Sequence, residues 1–442
     1  MTSAPFGSCR NPLSSRFVFA TGIECSYPTI SDAQGRRVRV DQLEQTFHYR
    51  YWREDLALVR ELGLHWLRYG PPYYRIHSGP DQYDWEFTDL VFAGIQRLGI
   101  VPIVDLCHSG VPDWVGDFQN PDWPQLFARF ALAFAERFPW VQFYTPVNEI
   151  YVCAKLSTLA GFWNERRRGD HRAFVTALKH LCQANLLAIE EILKVRPDAV
   201  FIQSESAEYF HLGATDPATV ARASWENQVR FLSFDFLYAV PPAGDVLLYL
   251  LDNGLTREEF TWFMRQDLGD RIVMGNDFYE RNEQLVAPGG EIRPAGEVFG
   301  WSVITRQYFD RYRRPVMHTE TNNIGRSADE APRWLWKQFL NVRNLREQGV
   351  PVLGFTWFSL IDQVDWDSAL LLQRGVVNPL GLYDLGRQPR PVATAYKELI
   401  HRFAAEPLLP YGSVLGFTAD RTRREEARSP GVFMEVEHER AA

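Results

Sequence analysis

Apolar residues along this chain fall into short runs separated by stretches with helical spacing. Eight runs read as strands: Phe17 to Ile23, His65 to Tyr69, Val101 to Cys107, 143–149, Val200 to Gln203, Ile272 to Met274, 315–320 and Val352 to Phe358. Between them apolar side chains return every three or four positions, as on one face of a helix. Leu56, Val59 and Leu62 mark a helix over 50–62, stopped by Gly63. Phe87, Leu90, Val91, Ile95 and Leu98 mark one over 86–98, stopped by Gly99. Phe127, Phe130, Phe134 and Phe138 mark a third, and Leu178, Leu181, Leu186, Ile189 and Leu193 a fourth. Trp334–Gln348 and 392–404 supply two more, and Thr256 with Glu259 forms a capping-box pattern inside the long insertion 207–270.

Strands that are apolar throughout and alternate with helices predict a parallel sheet covered on its outer face. With eight of them the expected fold is α/β: a single (β/α)8 TIM barrel with long loops on the catalytic face. No period of 20 to 50 residues repeats, which argues against a solenoid. The expected organisation is a flexible N-terminus over 1–15, one barrel domain over 16–410, and a mobile, charged C-terminal extension over 411–442.

Composition narrows the function classes. The net charge of −8 carries no long basic run, so no nucleic-acid partner is expected. No apolar run approaches the roughly 20 residues needed to span a bilayer, so no membrane partner is expected either. The N-terminus has no basic and apolar signal pattern, and the five cysteines, Cys9, Cys25, Cys107, Cys153 and Cys182, have neither a disulfide framework nor metal-ligand spacing. Both features point to a reducing, cytoplasmic location and to no metal or other cofactor. An aromatic content of 14% is on the high side, and although cores absorb most such rings, it mildly favours a carbohydrate ligand. Oligomeric state is not legible.

The candidate chemistry lies at two strand ends. The run Phe-Tyr-Thr-Pro-Val-Asn-Glu stops at Asn148 and Glu149, and Pro-Val-Met-His-Thr-Glu stops at Glu320, with His318 nearby. One such Glu is more often a solvated strand terminus. Two of them, at the carboxyl ends of barrel strands, are candidates for two-carboxylate chemistry.

Around these positions the chain resembles glycoside hydrolase family 1, the retaining β-glycosidases. His48-Tyr-Arg-Tyr-Trp-Arg-Glu-Asp55 with Glu61-Leu-Gly63 is similar to the family's first helix. Trp66-Leu-Arg68-Tyr, Leu106-Cys-His108-Ser-Gly-Val-Pro-Asp-Trp114, Pro146-Val-Asn148-Glu149 and His318-Thr-Glu320-Thr-Asn322 resemble its strand-end motifs. The resemblance implies Glu149 as acid/base and Glu320 as nucleophile, Arg68 and Tyr279 as supports of the nucleophile, and Asn148 and His108 as ligands of sugar hydroxyls. It also implies a carbohydrate or glycoside substrate and hydrolysis by double displacement, with transglycosylation open through the same intermediate.

The pocket for the non-reducing sugar departs from the family pattern. Where a sugar-gripping Gln is usual after the first strand, alignment of Ser26-Tyr27 leaves Pro28, and Glu24 is the nearest polar substitute. The Trp platform falls on Phe358 with Trp357 one position early, the Glu before a Trp becomes Asp365-Trp366, and Asp277 stands where an Asn is typical. Glu24, Trp357, Phe358, Asp365 and Trp366 are the remaining substrate-binding candidates. The alternative of another class is a non-catalytic carbohydrate-binding barrel, which would have no need of Glu149, Glu320, Asn148 and Arg68 together. A metal-dependent hydrolase using His108 and His318 is third, and lacks close His spacing.

Overall fold

The computed structural model of the protein describes residues 16–406 apart from 270 and 325. The segments expected to be mobile, 1–15 and 411–442, lie outside the described residues. Eight parallel strands close into a barrel: β1 (Val18–Ile23), β2 (Trp66–Tyr69), β3 (Val101–Asp105), β4 (Phe143–Thr145), β5 (Val200–Ser206), β6 (Ile272–Asp277), β7 (Val316–His318) and β8 (Val352–Trp357). Each pairs with its neighbours in sequence, and β1 joins β8 with Val18 beside Gly354 and Thr21 beside Trp357. The expected (β/α)8 barrel is the observed one.

The outer layer holds α1 (His48–Glu61), α2 (Glu86–Arg97), α3 (Trp123–Arg137), α4 (His171–Val195), α5 (Gly300–Tyr312), α6 (Ala331–Glu347) and α7 (Pro391–Phe403). Of these α5 was not anticipated. Its buried positions mix Trp301, Tyr308 and Tyr312 with Ser302 and Thr305 and hold a single aliphatic side chain, Ile304, so its apolar stripe is interrupted by polar residues. The 207–270 insertion folds as helices Pro217–Val229, Leu232–Leu237, Gly244–Asp252 and Arg257–Phe263. The capping box at the last is made: Thr256 Oγ1 accepts from the Glu259 amide at 3.1 Å, and Glu259 Oε2 from the Thr256 amide at 2.8 Å.

Alternation along the strands separates two cores. Val18, Ala20, Trp66, Ile103, Phe143, Val200, Ile202, Val273, Met317 and Leu353 fill the barrel interior as one buried cluster. The residues between them face the helices and join a second, larger cluster. Side chains in a strand repeat every two positions, so the next interior layer towards the carboxyl ends can be read directly. It contains Arg68, Asp105, Thr145 and Ser204, all buried and polar, and Asp277, one step further along its strand past Gly275, reaches back to Ser204 with its carboxylate. A dry apolar plug therefore supports a polar floor, and the site is built on that floor.

Candidate active site

Arg68 is the centre of the floor. Its guanidinium donates to Glu320 Oε1, to Asp105 Oδ2 at 3.1 Å and to Asn148 Oδ1 at 2.5 Å, and it is only 2% exposed. Burial works against its charge, but Asp105, Glu320 and Asp277 outweigh that and hold its pKa above the ordinary range. The other oxygen of Glu320, Oε2, accepts from the Tyr279 hydroxyl at 2.8 Å. Burial and the neighbouring Glu320 push the Tyr279 pKa well up, so the phenol stays a neutral donor.

Asp105 carries the network across to the sugar-pocket candidates. Its Oδ2 lies 2.6 Å from His108 Nδ1, while His108 Nε2 lies 3.1 Å from Glu24 Oε2. Burial opposes a charge on His108, yet Asp105 and Glu24 raise its pKa well above the usual value, giving an imidazolium between two carboxylates. Asn148 Nδ2 sits 3.2 Å from the same ring. Trp366 Nε1 donates to Glu24 Oε1 at 3.2 Å, which ties the loop after β8 to the loop after β1. The Phe358 ring lies nearly parallel to His108, centroids 6.4 Å apart. Gly22 lets it in, since a Cβ there would stand 2.6 Å from Phe358 Cδ2.

Glu149 follows β4 with φ 41 and ψ 56, a left-handed conformation uncommon for a residue with a side chain and often found at functional sites. Its amide donates to Ser204 O at 3.0 Å and its carbonyl accepts from Cys153 at 2.8 Å, which opens the helix Ile150–Thr158. Burial, then Asp277, Glu320 and Glu205 push its carboxyl pKa well up, with His108 partly offsetting them. The strand ends thus bring together Glu149, Glu320, Arg68, Tyr279, Asn148, His108, Glu24, Phe358 and Trp366.

Three expected residues stand elsewhere or do other work. Trp357 shares the helix-facing side of β8 with Phe355, whose ring meets Phe339 of α6 and Tyr396 of α7. It is fully buried and donates through Nε1 to Leu380 O at 3.1 Å, so it is no platform for a sugar. Asp365 is also fully buried, and its carboxylate accepts from the amides of Arg374, Gly375 and Val376 at 3.0, 3.0 and 2.9 Å. That carboxylate holds its own loop instead of reaching for a hydroxyl. His318 faces outward from β7 and stacks on Trp301 of α5 at 4.5 Å, away from any role as a metal ligand. Among the described residues no three His, Cys, Asp or Glu side chains gather as a set able to hold a metal ion.

Asp105, Ser204 and Trp163 are not among the residues singled out by the strand-end motifs. Asp105 was detectable, since it lies two positions beyond the interior Ile103, at the level of Arg68. Trp163 carried no such signal. It donates to Ala369 O and Leu370 O, both at 3.1 Å, joining the loops after β4 and β8 across the mouth.

A closed parallel barrel with two glutamates just past the ends of β4 and β7, one held by an arginine and a tyrosine, has the parts that a glycoside hydrolase needs. The sequence profile of glycosyl hydrolase family 1 matches residues 30–236. The aryl-phospho-β-D-glucosidase BglA of Bacillus subtilis is 32% identical over 385 residues, covering 74% of this chain and 79% of that one. A 6-phospho-β-glucosidase of Clostridium longisporum is 27% identical over 380 residues, covering 74% and 78%. The family 1 β-glucosidase of Thermotoga maritima superposes with a TM-score of 0.72 at 16% identity, over 88% of this chain and 98% of that one. This chain belongs to glycosyl hydrolase family 1, and it is a β-glycoside hydrolase.

Proposed function

We propose that the protein is a retaining β-glycosidase in which Glu320 is the nucleophile and Glu149 the proton donor and base. The observation that carries this is the unequal treatment of the two carboxyls. Glu320 receives one hydrogen bond from Arg68 and one from Tyr279, which orient a carboxylate for attack. Glu149 is pushed towards its protonated form by burial and by its acidic neighbours. A retaining glycosidase needs this division of labour. In the first step Glu149 protonates the leaving oxygen as a Glu320 oxygen bonds to the anomeric carbon. Glu149, now ionised, takes a proton from water, and that water displaces Glu320. A sugar hydroxyl in place of the water gives transglycosylation. Asn148, His108 and Glu24 are assigned to the sugar hydroxyls, with Phe358 and Trp366 as its apolar walls. Relatives are named β-glucosidases and 6-phospho-β-glucosidases, so β-glucosides and their 6-phosphates are the first substrates to try.

Product stereochemistry tests the assignment better than loss of activity does. Glu320→Gly with azide is expected to give a glycosyl azide of inverted configuration, because the anion enters from the face the carboxylate held. Glu149→Ala should slow poor leaving groups by about 10²–10⁴-fold and acidic phenols far less. Azide should then give a product of retained configuration. The opposite pair of outcomes would reverse the roles.

A further inference from the structure

A third carboxyl, Asp277, shares the cluster with Glu149 and Glu320. It closes β6, is fully buried, and lies one step beyond the polar floor. The Ser204 hydroxyl of β5 stands 2.8 and 2.7 Å from its two oxygens. The groups that act on this cluster are Ser204 from β5 and, through its charge, Glu205 on the other face of that strand, with Thr319 and Glu320 beyond β7, Arg68 from β2, Glu149 beyond β4, His108 beyond β3, and Tyr279 on its own loop. Arg68, the cation that faces Asp277, is already shared with Asp105 and Glu320.

We propose that Asp277 is a positioning residue that sets the working range of Glu149, by taking up negative charge first and so holding the proton on Glu149 to higher pH. The order of ionisation follows from the contacts. The anion of Asp277 is steadied by the Ser204 hydroxyl, by Thr319 and by Arg68. For Glu149 it is His108 that favours the charged form, against burial and three acidic neighbours, and a glutamate starts from the higher intrinsic value. Burial and Glu320 push Asp277 up as well, which places its ionisation above the usual carboxylate range. Once Asp277 is charged, its repulsion makes a second charge on Glu149 costlier. An amide at this position, typical of the resembling family, cannot do this.

The inference rests on Glu149 being the proton donor, and the test separates the two. The pH profile of kcat/KM is measured on a β-glycoside with a poor leaving group, for the wild type, Glu149→Ala, Asp277→Asn and Ser204→Ala. Asparagine keeps the shape and an acceptor for Ser204 while removing the charge. The alkaline limb is expected to move to lower pH by on the order of one unit in Asp277→Asn. Ser204→Ala should move it in the same direction by less, because the Asp277 anion loses a donor. A structural role alone would lower the whole profile without moving its limb. A limb that vanishes in Glu149→Ala but stays fixed in the other two variants overturns the inference. A limb that survives in Glu149→Ala overturns the donor assignment instead.

Discussion

His318 offers a perturbation whose size can be worked out from its surroundings. It is fully buried, lies parallel to the Trp301 indole at 4.5 Å, and meets the edge of Phe355 at 5.2 Å. Burial pushes its pKa down to about 3, against a small opposing effect from Gln338. The folded protein thus keeps a neutral imidazole where the unfolded chain binds a proton, below about pH 6.5. Because the unfolded state binds more protons, stability falls as pH drops through this window. At about 1.4 kcal/mol per unit, the loss is about 2 kcal/mol near pH 5 and about 4 kcal/mol near pH 3. His318→Phe keeps an aromatic ring on Trp301 and removes the titration. Denaturant unfolding of both proteins near pH 7.5 and near pH 5 gives four free energies. Other groups titrate in both proteins and cancel in the difference of differences, which is expected to be about 2 kcal/mol. Equal losses for the two proteins, or a larger loss for the variant, would refute the reasoning.

Arg68→Lys should lower kcat/KM by roughly 10²–10³-fold, because one ammonium cannot serve Glu320, Asp105 and Asn148 together and a buried ion pair is broken; a loss below tenfold in steady-state rates would count against it. Glu205 has its pKa pushed up to about 7, chiefly by burial. The folded state therefore holds that proton where the unfolded chain has lost it, and stability falls as pH rises through this range. Glu205→Gln is expected to be more stable than the wild type by about 3 kcal/mol above pH 7 and indistinguishable near pH 4, as measured by denaturant unfolding. On a panel of aryl β-glycosides, including 6-phosphates, uronides and deoxysugars, the altered sugar pocket should favour some other glycone over plain glucose; a clear glucose optimum would show that Glu24 and Phe358 hardly matter.

The barrel was legible because its strands are continuous apolar runs closed by glycine-marked helices. The carboxyl pair was legible because chemistry interrupts those runs at fixed places. What misled was the end of regular pairing. β7 stops at His318, so Glu320 no longer obeys the alternation that turns His318 outward, and the two part company. Trp357 is on the strand and keeps its outward parity, while Phe358, one residue past it, reaches the cleft. Asp365 could not be read at all from spacing. Its partners lie 9 to 11 residues downstream, in a turn that sequence alone does not reveal.

Asp365 also bears on how this branch can change. Three amides converge on its carboxylate, so the loop it organises is fitted to an aspartate side chain of that length. Restoring the glutamate usual in the family would lengthen the chain by one methylene inside a fully buried nest, and would displace the very backbone that needs the acid. The step back is therefore not a single substitution. The backbone of 374–376, whose amides now close on Asp365, has to move with it before a longer side chain fits.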